Sequence, residues 1–252
     1  MTEKLPNSFS CDIQIQSGIC DSLLRMKPEA AMLMIQDMAA QHATLLGIDD
    51  PNLKAKDNAL WVISRTKMIF NDIPQWYDVV TAKTWPSRPN GIRCERNYSI
   101  TKDGNLMIAA FSEWVIIDAD TRKLRKVETT HFPSDNEIEW LSDRIVTSPF
   151  RRIKDDFTED DLIYLRMIRS SDIDITHHTN NAVYCSMFLD TFRVADLESW
   201  KMSEIEVSYH NESIEGEILH VYRKHKEDGY YFAIKNERGM LVTTAFILFA
   251  DR

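Results

Sequence analysis

The sequence predicts an α+β fold built from two similar units in one chain. Three observations predict it. The same order of elements, one long helix followed by four strands, occurs twice. Short stretches repeat at a fixed spacing: Gly104-Asn105-Leu106 with Ala110-Phe111 is matched 135 residues later by Gly239-Met240-Leu241 with Ala245-Phe246. The segment between the repeats, residues 128–161, is polar and acidic and holds Pro133 and Pro149, so it reads as a linker.

Each half opens on a short strand. The first helix is expected over Pro28 to Leu46, with proline in its first turn and Gly47 just beyond its end. Ala31, Met34, Ile35, Met38 and Leu45 recur at helical spacing. Strands follow at Leu60 to Phe70, Asp78 to Trp85, Ile92 to Thr101 and Leu106 to Asp118, with Lys102-Asp103-Gly104-Asn105 as a hairpin turn. In the second half the helix is expected over Asn181 to Trp200. Its strands are Glu204 to Glu212, Glu217 to His225, Tyr230 to Asn236 and Met240 to Ala250, and Glu237-Arg238-Gly239 makes the matching turn. Asn71-Asp72 precedes a strand as Asn211-Glu212 does.

A single helix must be covered on one side, and a curved antiparallel sheet wrapped around it does so. That arrangement is a hotdog, and two in one chain make a tandem, or double, hotdog. A ferredoxin-like pair of sheets needs two helices per unit, and only one is found. The expected boundaries are 1–127 for the first hotdog, 128–161 for the linker and 162–252 for the second.

Composition excludes other classes. With 44% hydrophobic and 27% charged residues over 252 positions, the chain has the balance of a globular protein. With seven glycines and neither glycine-rich motif, a phosphate cradle built from a glycine-rich loop is not expected. A net charge of −9 argues against a nucleic-acid partner. Cys11, Cys20, Cys94 and Cys185 match neither a zinc nor a redox spacing. No apolar run reaches the roughly 18 residues of a membrane span, and the polar start, Met1 to Asn7, lacks a signal core. The expected address is the cytoplasm. The acidity is uneven: 1–150 hold 17 basic and 20 acidic residues, and 151–252 hold 13 and 19. Lys83 to Lys126 runs the other way, with nine basic and five acidic residues, as a solvated strand face or a patch for an acidic partner.

Polar residues gather at Asp172-Ile173-Asp174-Ile175-Thr176-His177-His178-Thr179-Asn180-Asn181, just before the second helix, with Tyr184 on its first turn. A helix N-terminus offers unpaired N–H groups and partial positive charge, so a carbonyl held there is polarised. Asn180 or Asn181 suits the N-cap, and the asparagines alone need no other role. His178 and Asp174, four residues apart beside that terminus, point to chemistry. Adjacent histidines without further ligands do not make a zinc site. Glu212 is the second polar point. Asp72 stands at the equivalent place, so a rim carboxylate without chemistry also accounts for it.

The run Ser171 to Tyr184 resembles the D-x-D-x-N-x-H-x-N-N-x-x-Y signature of the acyl-acyl carrier protein thioesterases of plants and bacteria. The resemblance extends from about residue 5 to 252 and includes Thr84-Trp85 and Gly91-Ile92-Arg93 on to Arg96. It implies hydrolysis of fatty acyl thioesters on acyl carrier protein, with no cofactor and no metal, and release of fatty acid during lipid synthesis. By position, Asp174, His178 and Glu212 match the family's site residues. Thr176 replaces the family's asparagine, and Ser213 replaces the cysteine of plant members, so no Cys-His-Asn triad can be drawn. Cys185 reads as core.

The resemblance implies attack by water held between Glu212 and His178, with Asp174 orienting, Thr176 partly replacing an amide, and N–H groups at Asn180 and Asn181 receiving the oxyanion. A covalent acyl-carboxylate is the other route. The resemblance also puts the acyl slot in the first hotdog, where Met34 and Met68, with Met32 and Met38, offer an adaptable lining. Arg93 and Arg96 become the docking residues for the acidic carrier. Rival readings are an acyl-CoA hydrolase of the same fold and a non-catalytic acyl-binding sensor. A dehydratase motif, D-x-N-P-x-H, is absent. The oligomeric state stays open, a homodimer included.

Overall fold

The chain folds as a double hotdog: one antiparallel sheet curved around two helices placed side by side. The structure is a computed structural model and describes residues 4–251, with the side chain of Asp251 excepted. Residues 1–3 of the polar start, and Arg252, lie outside the described residues.

The first half runs β1 (Phe9–Gln14), α1 (Pro28–Leu45), α2 (Asp50–Asp57), β2 (Ala59–Phe70), β3 (Val79–Pro86), β4 (Arg93–Lys102), β5 (Asn105–Asp118) and the two-residue β6 (Leu124–Arg125). The second runs β7 (Leu162–Met167), α3 (Asn181–Leu189), α4 (Val194–Ser199), β8 (Trp200–Tyr209), β9 (Ile218–Lys226), β10 (Gly229–Asn236) and β11 (Leu241–Asp251). The strand order is β1-β3-β4-β5-β2-β8-β11-β10-β9-β7, with β6 on β5. Each half therefore contributes five strands to the main path in mirrored order. The halves meet where β2 pairs antiparallel with β8, from Arg65↔Ser208 to Ile69↔Glu204.

Local sequence accounts for the parts. α1 starts at Pro28, which has no N–H to waste, and stops where Gly47 takes φ 70°. The Ile48 N–H bonds Ala43 O at 2.9 Å and closes its last turn. β3 alternates buried Val80, Ala82 and Thr84 with exposed Val79, Thr81 and Lys83, the period of a strand with one wet face. Ala31, Met34 and Met38 of α1 share one core with Cys185, Met187 and Phe188 of α3 and with the concave faces of both sheet halves. No helix among the described residues is long and apolar enough to cross a membrane.

Three expectations change. The helix expected over Asn181 to Trp200 ends at Leu189. The Thr191 hydroxyl takes the Phe188 carbonyl at 2.7 Å, and Phe192 turns into an aromatic cluster with Trp200, Tyr230, Phe232 and Phe249. Aromatic burial there outweighs helix continuation. Trp200 accordingly opens β8, four residues before the expected start. β8 also ends at Tyr209, because His210 and Asn211 both donate to Val242 O, so Glu212 stands on a loop rather than on the strand.

The linker is a strap. Val146 and Phe157 are buried against the convex face of the sheet, and Trp85 Nε1 donates to Asp143 O at 2.8 Å. At the β2–β8 seam the strap covers Lys67, whose Nζ donates to Pro149 O at 2.8 Å and pairs with Glu206 at 3.0 Å. Arg151 pairs with Glu204 and stacks on Phe246.

Candidate active site

The loop between β7 and α3 is held from both ends. Asp172 is buried and accepts from Arg166 Nη2 at 2.7 Å and from the Arg169 N–H at 2.9 Å. Thr179 N–H bonds Ser213 O at 2.9 Å, and Asn180 N–H bonds Asp172 O at 2.9 Å. Between these anchors, Asp174 N–H to His178 O and His177 N–H to Asp174 O, with His177 at φ 64°, close a tight turn. The turn presents Asp174, Thr176 and His178 on one side.

Asp174 Oδ1 accepts from the Thr176 N–H at 2.8 Å and from its hydroxyl at 2.6 Å. A carboxylate only accepts, so the single hydroxyl proton of Thr176 is committed there. The Thr176 oxygen that lies 3.4 Å from His178 Nδ1 can therefore only accept. On the other side of the ring, His178 Nε2 lies 3.2 Å from Glu212 Oε2. Both ring nitrogens thus face oxygen acceptors. No hydrogen bond joins the Asp174 and His178 side chains among the described residues; the Thr176 hydroxyl stands between them.

The helix end is adjacent. Asn180 is the N-cap, and its Oδ1 accepts the Ala182 N–H at 2.9 Å. With the Asn180, Ala182 and Val183 N–H groups already bonded, Asn181 keeps the one N–H of this turn without an acceptor among the described residues. Ser213 is buried, with its hydroxyl 2.7 Å from Thr179 Oγ1 and 2.7 Å from Tyr184 Oη. It ties the Glu212 loop to the helix and is not placed as a nucleophile. Cys185 is fully buried, and burial pushes its thiol well above its ordinary value.

The first half also reaches the site. Burial raises the Asp50 carboxyl on α2, and the charges of Asp49 and, less, of Asp174 add to the rise. Arg122, in the turn after β5, places Nη2 2.6 Å from Glu212 Oε1. Sequence reasoning did not find Arg122. It lay within the basic stretch, but nothing local marks its partner.

Other expected residues lie elsewhere. Met34 and Met68 are buried between α1 and the sheet, as is Met32, which receives a 3.4 Å contact from the Tyr209 hydroxyl. Arg93 is exposed at the start of β4. Arg96 is a correction: only 8% exposed, it donates to His42 Nδ1 at 3.0 Å and Thr84 Oγ1 at 3.3 Å, so it cannot meet a partner's surface. The basic stretch is smaller than it reads. Arg88, Lys102, Arg122 and Arg125 are engaged within the chain, and Lys83 lies over the Trp85 ring, while Arg93, Lys123 and Lys126 form no ion pair among the described residues.

The equivalent place in the first half holds different chemistry. Asp72 pairs with Lys201 at 3.1 Å, and Arg25 is bound by Asp21, Leu197 O and Trp200 O. A cavity of about 410 Å³ opens there, lined by both halves, with no histidine.

Comparison with known proteins places this geometry in a context. A model of the acyl-ACP thioesterase N-terminal domain matches residues 6–132, and one of the C-terminal domain matches residues 157–251. A chloroplastic palmitoyl-acyl carrier protein thioesterase of Gossypium hirsutum is 26% identical over 84% of this chain and 53% of its own length. One of Arabidopsis thaliana is 28% identical over 76% and 48%. The chain thus spans about half the length of these curated relatives. Among solved structures, an acyl-ACP thioesterase from Bacteroides thetaiotaomicron superposes with TM-score 0.87 at 22% identity, covering 97% of this chain and 98% of that one. A 12:0-ACP thioesterase from Umbellularia californica superposes with TM-score 0.84 at 18% identity, covering 98% of each.

Proposed function

The chain belongs to the acyl-ACP thioesterase family, and from that premise we propose that it hydrolyses fatty acyl thioesters carried on acyl carrier protein. The observation that carries the reading is the His178–Glu212 pair, 3.2 Å apart beside the N-terminus of α3.

The reaction needs three things at one carbonyl: a nucleophile, a place for the oxyanion and a proton for the leaving thiolate. Water held by Glu212 and His178 attacks the carbonyl carbon and gives up its proton to the pair. The oxyanion forms against the Asn181 N–H at the positive end of α3; one such donor is typically worth ~2.7–4 kcal/mol in the transition state. The C–S bond then breaks, and the proton held by the pair goes to the thiolate. Asp174 and Thr176 fix the ring. Arg96, buried within the first half, is not part of carrier docking. The acyl chain lies along α1, among Met34, Met68 and their neighbours, whose flexible side chains repack to admit it.

Hydrolysis of a panel of acyl-carrier thioesters by the wild type and by His178→Ala tests this. Turnover by the wild type, with kcat lowered about 10²–10⁴-fold in the variant, is the expected result. Binding without turnover of any panel member would instead make the protein an acyl sensor.

A further inference from the structure

We propose that Arg122, supplied by the first half of the chain, is a positioning residue that sets the Glu212 carboxylate against His178 in the second half. The inference rests on the thioesterase reading of this site and adds to it a residue from outside the motif.

Glu212 is weakly held by its own chain. It lies on a loop beyond the β8 ladder, and among the described residues its carboxylate meets only two side chains. Arg122 Nη2 takes Oε1 at 2.6 Å, which leaves Oε2 directed at His178 Nε2. A guanidinium presents rigid, directional donors, so occupying one carboxylate oxygen also fixes where the other points. Without it, three rotatable bonds leave the glutamate free to turn from the ring.

The arginine is itself aimed. Arg122 adopts φ 58°, a left-handed conformation that glycine or asparagine fills at lower cost. Its N–H bonds Asp118 O at 2.9 Å, and Asp118 Oδ1 accepts from both the N–H and the hydroxyl of Thr121, at 2.9 and 2.8 Å. The turn is thereby closed, and the side chain leaves it from a fixed point. Stability does not explain the pair. The two side chains are 47% and 41% exposed, and ion pairs so open to solvent contribute little to folding.

Steady-state kinetics on one carrier-borne acyl thioester and on its N-acetylcysteamine analogue test the proposal. Arg122→Gln is expected to lower kcat about tenfold on both substrates, an ordinary coupling between contacting side chains, with KM changed less than about twofold. Arg122→Lys is expected to restore kcat to within about threefold, since it keeps the charge but not the fork. In a Glu212→Gln background, adding Arg122→Gln is expected to change kcat less than about twofold, because the arginine acts through the glutamate. Melting temperatures within about 3 °C of wild type would show that folding is intact. Independent, multiplying effects in the double variant would overturn the proposal. So would an unchanged kcat, or a rise in KM confined to the carrier-borne substrate, which would make Arg122 a carrier contact. A wild type that turns over neither substrate would overturn both this proposal and the thioesterase reading.

Discussion

His42 shows how much one side chain of the first half depends on being neutral. It is fully buried on α1, donates from Nε2 to Pro6 O at 2.9 Å and accepts at Nδ1 from the buried Arg96. Burial and then the Arg96 charge lower its pKa to about 4. An unfolded histidine titrates near 6.5, so between that value and about 4 the unfolded chain binds a proton that the folded chain refuses. Stability is therefore full above that window and falls as pH drops through it, by up to one proton's worth of slope. Melting scans from pH 7 to pH 4.5 should show the decline, and His42→Gln should reduce it over that window. An identical decline in the variant would assign the effect to other groups. The sequence offered no sign of this: His42 lay within an apolar helical pattern, and Arg96 read as a surface cation. By contrast, Asp174 and His178 stood out in one polar loop before a helix, and only the family resemblance added Thr176 and Glu212 to them. What the loop spacing could not give was the order of contacts, in which the Thr176 hydroxyl stands between Asp174 and the ring.

Among elements, the seam between β2 and β8 carries most of what is unusual. Lys67 is 1% exposed in the middle of it, and Glu206, opposite, is 0% exposed. Removing one partner of a buried pair strands the other, so Lys67→Met is expected to cost about 3–5 kcal/mol. Replacing both, as in Lys67→Met with Glu206→Leu, is expected to recover most of that loss in denaturant unfolding. If the double variant is no more stable than the single one, Arg151 and the strap, rather than the pair, set the stability of the seam. Within each half the hairpins that join β4 to β5 and β10 to β11 followed from turn residues and alternation, which are local. The pairing of β2 with β8 is not local, and neither is the break after Leu189, where distant Tyr230 and Phe249 receive Phe192. Signals that act over three or four residues cannot report either.

At the scale of the molecule, the two halves divide the work unequally. The second half carries the motif, and the first reaches into it with Arg122 and α2. On the proposed reading, the cations of the basic stretch left exposed with no ion pair or ring contact among the described residues are Arg93, Lys123 and Lys126. Arg93 pairs across with Val115, near the end of β5, so all three lie toward the sheet end that carries Arg122. Reversing all three to glutamate is expected to raise KM for a carrier-borne thioester about tenfold or more and to spare an N-acetylcysteamine thioester, with the difference shrinking as salt is added. Equal effects on both substrates would move the docking surface elsewhere. The internal repeat made the double hotdog legible from sequence. Its asymmetry was not, since Asp72 with Lys201 and Glu212 with Arg122 look alike as isolated carboxylates.

The seam also has a consequence in time. The residues that pair across it are roughly 140 positions apart. At about 5–20 residues per second of synthesis, β2 waits on the order of 7–28 s for β8 to exist. Throughout that wait β2, paired with β5 on one side, presents its other edge open, the kind of edge that recruits other chains. Lys67 sits at the middle of the stretch, Arg65 to Ile69, that pairs with β8. Before β8 arrives its ammonium is in water, where a charge on an open edge blocks sticky encounters. Afterwards the same charge is sealed by Glu206 and the strap. The same side chain is thus a solvated charge on the half-made protein and a buried, paired one in the finished protein.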